Sequence, residues 1–242
     1  MRDHPSPNHD ARPVGQAIDI LLLHYTDMQC AEEALTRLCD PAAAVSAHYL
    51  IDRQGEVFRL VPEDRRAWHA GVASWRGASD INARSIGIEL DNPGHQFGYR
   101  PFPEAQMQAL EALARDIVAR HKIPPARVLG HSDVAPARKR DPGELFDWAR
   151  LAKQGLGLWP AMNFTVSEHA PFLEPGMAGP AVYDLQIALD RIGYAIEGTA
   201  LYDSAMELAV LAFQRHFRQT SIDGIADAET TSLAHHLAEM ST

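Results

Sequence analysis

Four of the chain's histidines, His24, His48, His69 and His131, lie in the N-terminal part beside stretches that read as strands. His24 closes an apolar run, in His24-Tyr25-Thr26-Asp27, and His131 follows another, in Gly130-His131-Ser132-Asp133. Asp141 comes soon after, in Arg138-Lys139-Arg140-Asp141-Pro142-Gly143. Two imidazoles and a carboxylate, with one position left for water, are the ligand pattern of a catalytic zinc, whereas a structural zinc fills all four positions and usually draws on cysteine. The same set fits a non-haem iron oxygenase, so ligand types leave the metal open. Asp141 also has a second reading. Asp141-Pro142-Gly143-Glu144 places a capping aspartate, a proline and a glutamate as they stand at a helix N-terminus. Glu89 ends the apolar stretch Ser85-Ile86-Gly87-Ile88, and a buried strand that ends in a carboxylate implies a partner for it.

The elements that must position these groups follow from periodicity. Ile18–His24 and Ser85–Leu90 are short continuous apolar runs, as in strands buried on both faces. A helix is expected over Ala31–Cys39, stopped by Asp40-Pro41. Ala47–Ile51 and Glu56–Val61 flank Arg53-Gln54-Gly55 as a hairpin. Pro103–Lys122 is the clearest helix, with Met107, Leu110, Leu113, Ile117 and Val118 on one stripe and Pro124-Pro125 beyond its end. Val128-Leu129 starts a last short strand. This order predicts an α/β fold, a mixed central sheet flanked by helices, over residues 14–158. Residues 159–178 read as a Pro-rich linker. Residues 179–240 then read as a small three-helix all-α domain. Its helices carry Val182, Leu185, Leu189 and Ile192, then Met206, Val210, Phe213 and Phe217, then Leu233 and Leu237 after a capping Asp227. Leu185-Gln186 recurs as Phe213-Gln214, each followed after a turn by a glycine, Gly198 or Gly224, which suggests a duplicated helix-loop unit.

Composition limits the function. The formal net charge is -10, from 22 basic and 32 acidic residues. With no basic excess to displace counterions, the chain is not expected to clamp nucleic acid. No apolar run is long enough for a membrane span. Met1–Pro13 is polar and Pro-rich, without an apolar signal core. Cys30 and Cys39 fall on one predicted helix about 13 Å apart, too far for a mutual bond.

The motifs together resemble a family. Trp68-His69-Ala70-Gly71, Asn82, Ser85-Ile86-Gly87-Ile88-Glu89, Gly130-His131-Ser132-Asp133 and Arg138-Lys139-Arg140-Asp141-Pro142-Gly143 resemble, in order and spacing, the type 2 N-acetylmuramoyl-L-alanine amidases. Their relatives include phage lysozyme-amidases and animal peptidoglycan recognition proteins. The last sixty or so residues resemble the peptidoglycan-binding three-helix module often fused to wall hydrolases.

The resemblance implies zinc held by His24, His131 and Asp141, with Glu89 as general acid and base and Lys139 at the oxyanion. His48, His69 and Trp68 are then assigned to substrate contact, the two histidines with ligand support as a second role. Two departures stand out. Ala47 occupies the place of a tyrosine that many relatives carry before the hairpin histidine, and Glu197-Gly198 replaces the module's usual Asp-Gly. The implied reaction is zinc-dependent hydrolysis of the amide between N-acetylmuramic acid and L-alanine, in peptidoglycan or in muropeptides. A non-catalytic recognition protein and a cytoplasmic muropeptide-recycling amidase are the two rival readings. The wall-binding module points to the cell envelope or periplasm, and the polar N-terminus to the cytoplasm.

Overall fold

The computed structural model describes residues 1–241. Its elements in chain order are β1 (Arg2–Asp3), β2 (His9–Ala11), β3 (Ile20–Tyr25), α1 (Ala31–Cys39), β4 (Tyr49–Ile51), β5 (Val57–Arg59), β6 (Arg65–Ala67), α2 (Ile81–Arg84) and β7 (Ser85–Leu90). There follow α3 (Gly94–Phe97), α4 (Glu104–His121), β8 (Val128–Gly130), α5 (His131–Val134), α6 (Trp148–Ala152), α7 (Pro180–Ile192), α8 (Ser204–Phe217) and α9 (Ala228–Met240). A six-stranded mixed sheet runs β1-β5-β4-β7-β3-β8, and β2 pairs with β6 in a small second sheet. The strands β4, β7, β3 and β8 are mutually parallel, while β4 and β5 form the antiparallel hairpin.

The strand β3 is apolar throughout because both of its faces are covered. Leu21 and Leu23 pack with Ile86, Ile88 and the Met107, Leu110, Leu113 and Ile117 stripe of α4. Ile20 and Leu22 point the other way, into a cluster shared with the helical module. The hairpin strands are shorter than their apolar pattern. The His48 carbonyl accepts from both Leu60 and Val61 N–H, a bulge that ends regular pairing. The turn needs Gly55, whose φ is +84° and where a Cβ would lie 2.6 Å from the Ala105 carbonyl oxygen.

The three C-terminal helices show the expected duplication at the level of hydrogen bonds. Gln186 and Gln214 are both buried. Gln186 donates to the Leu201 carbonyl and accepts from Ala200 N–H. Gln214 donates to the Ile225 carbonyl and accepts from Gly224 N–H. Each glutamine thus ties its helix to the loop that follows, supplying partners for loop backbone groups that no helix satisfies.

The module is not a free appendage. Val182, Leu185, Tyr194, Phe213 and Phe217 belong to one apolar cluster with Trp75, Ile81, Leu129 and Val134 of the α/β part. Trp75 is buried there, edge-on to Tyr194 at 5.0 Å, so its role is packing. Cys30 and Cys39 are free and half-buried.

Candidate active site

Sheet order brings the chemistry together. The residues β3 His24 and β7 Glu89 are register partners, and β8 ends at Gly130 opposite Leu23, so His131 emerges beside them. All three lie at the carboxyl ends of parallel strands, where the chain leaves the sheet and open space remains for ligand. Asp141 is carried in on the loop after α5, and its carbonyl accepts from Ser132 N–H at 2.9 Å. The helix-cap reading of Asp141 is overturned. No helix begins there; α6 starts at Trp148, and its capping side chain is Asp147, bonded to Arg150 N–H.

Three donor atoms converge. His24 Nδ1 and His131 Nδ1 are 2.9 Å apart, and Asp141 Oδ2 is 3.0 Å from each. All three residues are buried. The hydrogen-bond partners behind the rings fix the tautomers. His131 Nε2 lies 3.0 Å from the Ala70 carbonyl, which can only accept, so the proton is on Nε2 and Nδ1 is bare. A longer chain makes the same assignment for His24. Ser85 spends its hydroxyl proton on the Ile81 carbonyl at 2.7 Å. Its oxygen must then accept from His69 Nε2–H at 3.3 Å. His69 Nδ1 is therefore bare and accepts from His24 Nε2–H at 3.0 Å, which leaves His24 Nδ1 bare as well.

Two nitrogen lone pairs and a carboxylate oxygen thus face one another with no hydrogen between them. Such a set repels itself unless a cation joins it. Burial and the neighbouring His131 push His24 down to about 4, so its own Nδ1 stays unprotonated at neutral pH. The donor set fits a divalent metal whose ligands are oriented by outer hydrogen bonds.

Glu89 faces this centre. Burial, and then the nearby Asp141 charge, raise its carboxyl well above the ordinary glutamate value, with Lys139 acting against them. Its Oε2 is buried without a hydrogen-bond partner among the described residues. The cleft around it has a volume of about 460 Å³, and its walls include Tyr25, Trp68, His95, Arg37, Lys139 and Arg140. The Lys139 ammonium forms no ion pair among the described residues.

A family model described as N-acetylmuramoyl-L-alanine amidase matches residues 14–144, more than half of the chain. The chain belongs to the N-acetylmuramoyl-L-alanine amidase family. It is a hydrolase of the amide that joins N-acetylmuramic acid to L-alanine in peptidoglycan. A peptidoglycan binding domain model matches residues 178–233 of this amidase. The chain is 41% identical to the N-acetylmuramoyl-L-alanine amidase AmiD of Escherichia coli, over 95% of its own length and 87% of that protein. It is 39% identical to the 1,6-anhydro-N-acetylmuramyl-L-alanine amidase AmpD of Enterobacter cloacae, over 62% of this chain and 87% of that one. Among solved structures, E. coli AmiD in complex with anhydro-N-acetylmuramic acid-L-Ala-D-gamma-Glu-L-Lys superposes with a TM-score of 0.80 at 38% identity, covering 94% of this chain and 92% of that one. AmpDh3 of Pseudomonas aeruginosa with an anhydromuramic pentapeptide gives 0.80 at 32% identity, covering 94% of each chain.

Not every residue expected at the amidase's substrate is exposed to it. Trp68 lines the cleft. His48 does not. It is fully buried, its Nδ1 accepts from Gly87 N–H at 2.9 Å, and its Nε2 lies against the Arg65 carbonyl. Its substrate role is corrected to a strut between β4 and β7. His69 borders the cleft, but both of its ring nitrogens are occupied, by His24 and Ser85, so its hydrogen bonds support His24 and are not offered to substrate. Two residues quoted in the motifs but given no role are now explained. Asn82 Oδ1 accepts from both His69 and Ala70 N–H, fixing the segment behind the two imidazoles, and Ser85 sets the tautomer of His69.

Proposed function

We propose that this amidase works with zinc held by His24, His131 and Asp141, with Glu89 moving the proton and Lys139 stabilising the oxyanion. The observation that carries the metal assignment is the pair of bare Nδ1 atoms 2.9 Å apart beside a carboxylate oxygen. Zinc bound there would bring the pKa of water toward about 7 and polarise the amide carbonyl. Amide hydrolysis involves no electron transfer, which favours zinc over iron for the same ligands. Glu89 takes the proton of the attacking water and passes it to the leaving amine of L-alanine, as its orphaned Oε2 at the cleft allows. Lys139 places a cation where the carbonyl oxygen becomes negative. With Ala47 in place of a tyrosine, no phenol from that position shares this work.

The substrate class is peptidoglycan or its muropeptides, anhydro forms included. The likeness to AmiD and AmpDh3 with anhydromuropeptides supports this. So does a cleft wall carrying Arg37, Lys139 and Arg140 in an acidic protein, which suits a ligand with peptide carboxylates. A peptidoglycan-binding module favours the cell envelope as the site of action; no helix is long and apolar enough to cross a membrane among the described residues. Digesting purified sacculi and short anhydromuropeptides, and weighing the released peptides, tests the reading. Products cut at the sugar–alanine amide are expected, and cleavage within the peptide or glycan would overturn it.

A further inference from the structure

Asp133 lies two residues after the ligand candidate His131 and is 1% exposed. It belongs to α5, the single turn that begins with His131. Its Oδ2 accepts from Gly130 N–H at 2.8 Å, which caps that turn. Its other partners come from the C-terminal module. Tyr194 donates its hydroxyl to Oδ1 at 2.7 Å, and His216 donates Nδ1–H to Oδ2 at 2.8 Å. Both donors are buried. The His216 ring is stacked between Trp148, 3.8 Å away at 17°, and Phe217, 3.9 Å away at 10°. The surrounding interface is specific as well as apolar. Arg76 N–H donates to the Gly193 carbonyl at 2.9 Å, and its guanidinium reaches the Ile192 and Ser241 carbonyls. Gly193 is required there, since a Cβ would lie 2.4 Å from the Trp75 ring.

A fully buried carboxylate stays in place only while its lone pairs are satisfied. Here the cap of the turn bearing His131 depends on two donors that the α/β part does not supply. We propose that the wall-binding module is also a buttress of the active site: Tyr194 and His216 hold Asp133, and Asp133 holds the Gly130–His131 turn in the position that aims His131 at the metal. Tyr194 and His216 are positioning residues for the reaction and touch neither substrate nor metal. The inference rests on the reading of His131 as a ligand. Holding peptidoglycan is the task the module's family implies; the contacts to Asp133 give it a second one.

The full-length protein carrying Tyr194→Phe, or Tyr194→Phe with His216→Phe, tests this. The single variant removes one hydroxyl, and the double keeps the aromatic stack. Zinc affinity is measured by chelator competition, and kcat and KM on a short soluble anhydromuropeptide, which cannot bridge module and active site. Circular dichroism checks the fold. The expected result is a folded double variant with zinc affinity lowered about tenfold and kcat lowered at near-constant KM, the single variant lying between it and the parent. Parent-like zinc affinity and kcat in both folded variants would reduce the contact to plain domain docking. If His131→Ala also kept parent zinc affinity, the ligand assignment would be the part that failed; if it lost zinc while both variants did not, the buttress alone would fall.

Discussion

His24 Nε2 donates to His69 Nδ1 at 3.0 Å, although the two residues are 45 positions apart. That bond turns the other face of the His24 ring, with its bare nitrogen, toward His131 and Asp141. The arrangement depends on Gly87, where a Cβ would lie 2.6 Å from His69 Nδ1. Replacing His69 with alanine is expected to lower zinc affinity by about 10- to 100-fold. His69→Gln, whose carbonyl oxygen can accept the same proton, should recover part of it. Chelator competition reads both. Equal losses in the two variants would show that shape, and not the accepted proton, is what His24 needs.

Catalysis should depend on metal. Incubation with excess chelator is expected to abolish release of stem peptides, and zinc to restore it. Full turnover with metal absent by elemental analysis would contradict the proposed mechanism.

Glu89 and Asp141 should fail in different ways. Asp141→Ala removes a donor from the convergent set and should lower zinc occupancy. Glu89→Gln keeps the shape but cannot carry the proton, so zinc is retained while kcat falls by about 100-fold or more. Elemental analysis beside steady-state kinetics separates the two. Near-normal kcat in Glu89→Gln would move the proton-transfer role to another residue.

His48 makes stability pH-dependent. Burial, then the neighbouring Arg12, push its imidazole down to about 3, so it stays neutral in the fold at a pH where an unfolded histidine is protonated. The unfolded state therefore binds more protons below about 6.5, and the contribution is lost as pH falls toward 3, at about 1.4 kcal/mol per pH unit. Urea unfolding at pH 7 and pH 5 should show the parent losing more stability than His48→Gln. Parallel losses would exclude His48 as the source.

Local patterns marked the longer elements and the residues that converge beside them, but not the short β1, β2, β6, α2, α3 and α5. The apolar run ending at His24 marks a strand covered on both faces. The stripe from Met107 to Ile117 marks the helix that covers one of them. The strings around His131 and Asp141 mark a candidate metal site once read together with Trp68-His69 and Ser85 to Glu89. Where sequence reasoning missed, the interaction was long-range. A histidine beside a cleft looks the same in sequence whether its nitrogens face substrate or other side chains, so His48 and His69 could not be placed until their partners at Gly87, Arg65, His24 and Ser85 were seen. Asp141 was ambiguous for the opposite reason. Its local context suits a helix cap, and only the fold shows the helix starting later, at Trp148.

The chain itself determined the order of strands and helices, the family and the residue types that can hold a metal, because periodicity and short motifs are properties of neighbours along the chain. The tertiary structure alone decided which nitrogen of each imidazole is bare, that Glu89 is left with an unpaired buried oxygen, and that the helical module is welded to the α/β part through Asp133 and Trp75. Those depend on atoms brought within about 3 to 5 Å from distant positions, and a buried polar group takes its state from such neighbours and not from its own stretch of chain.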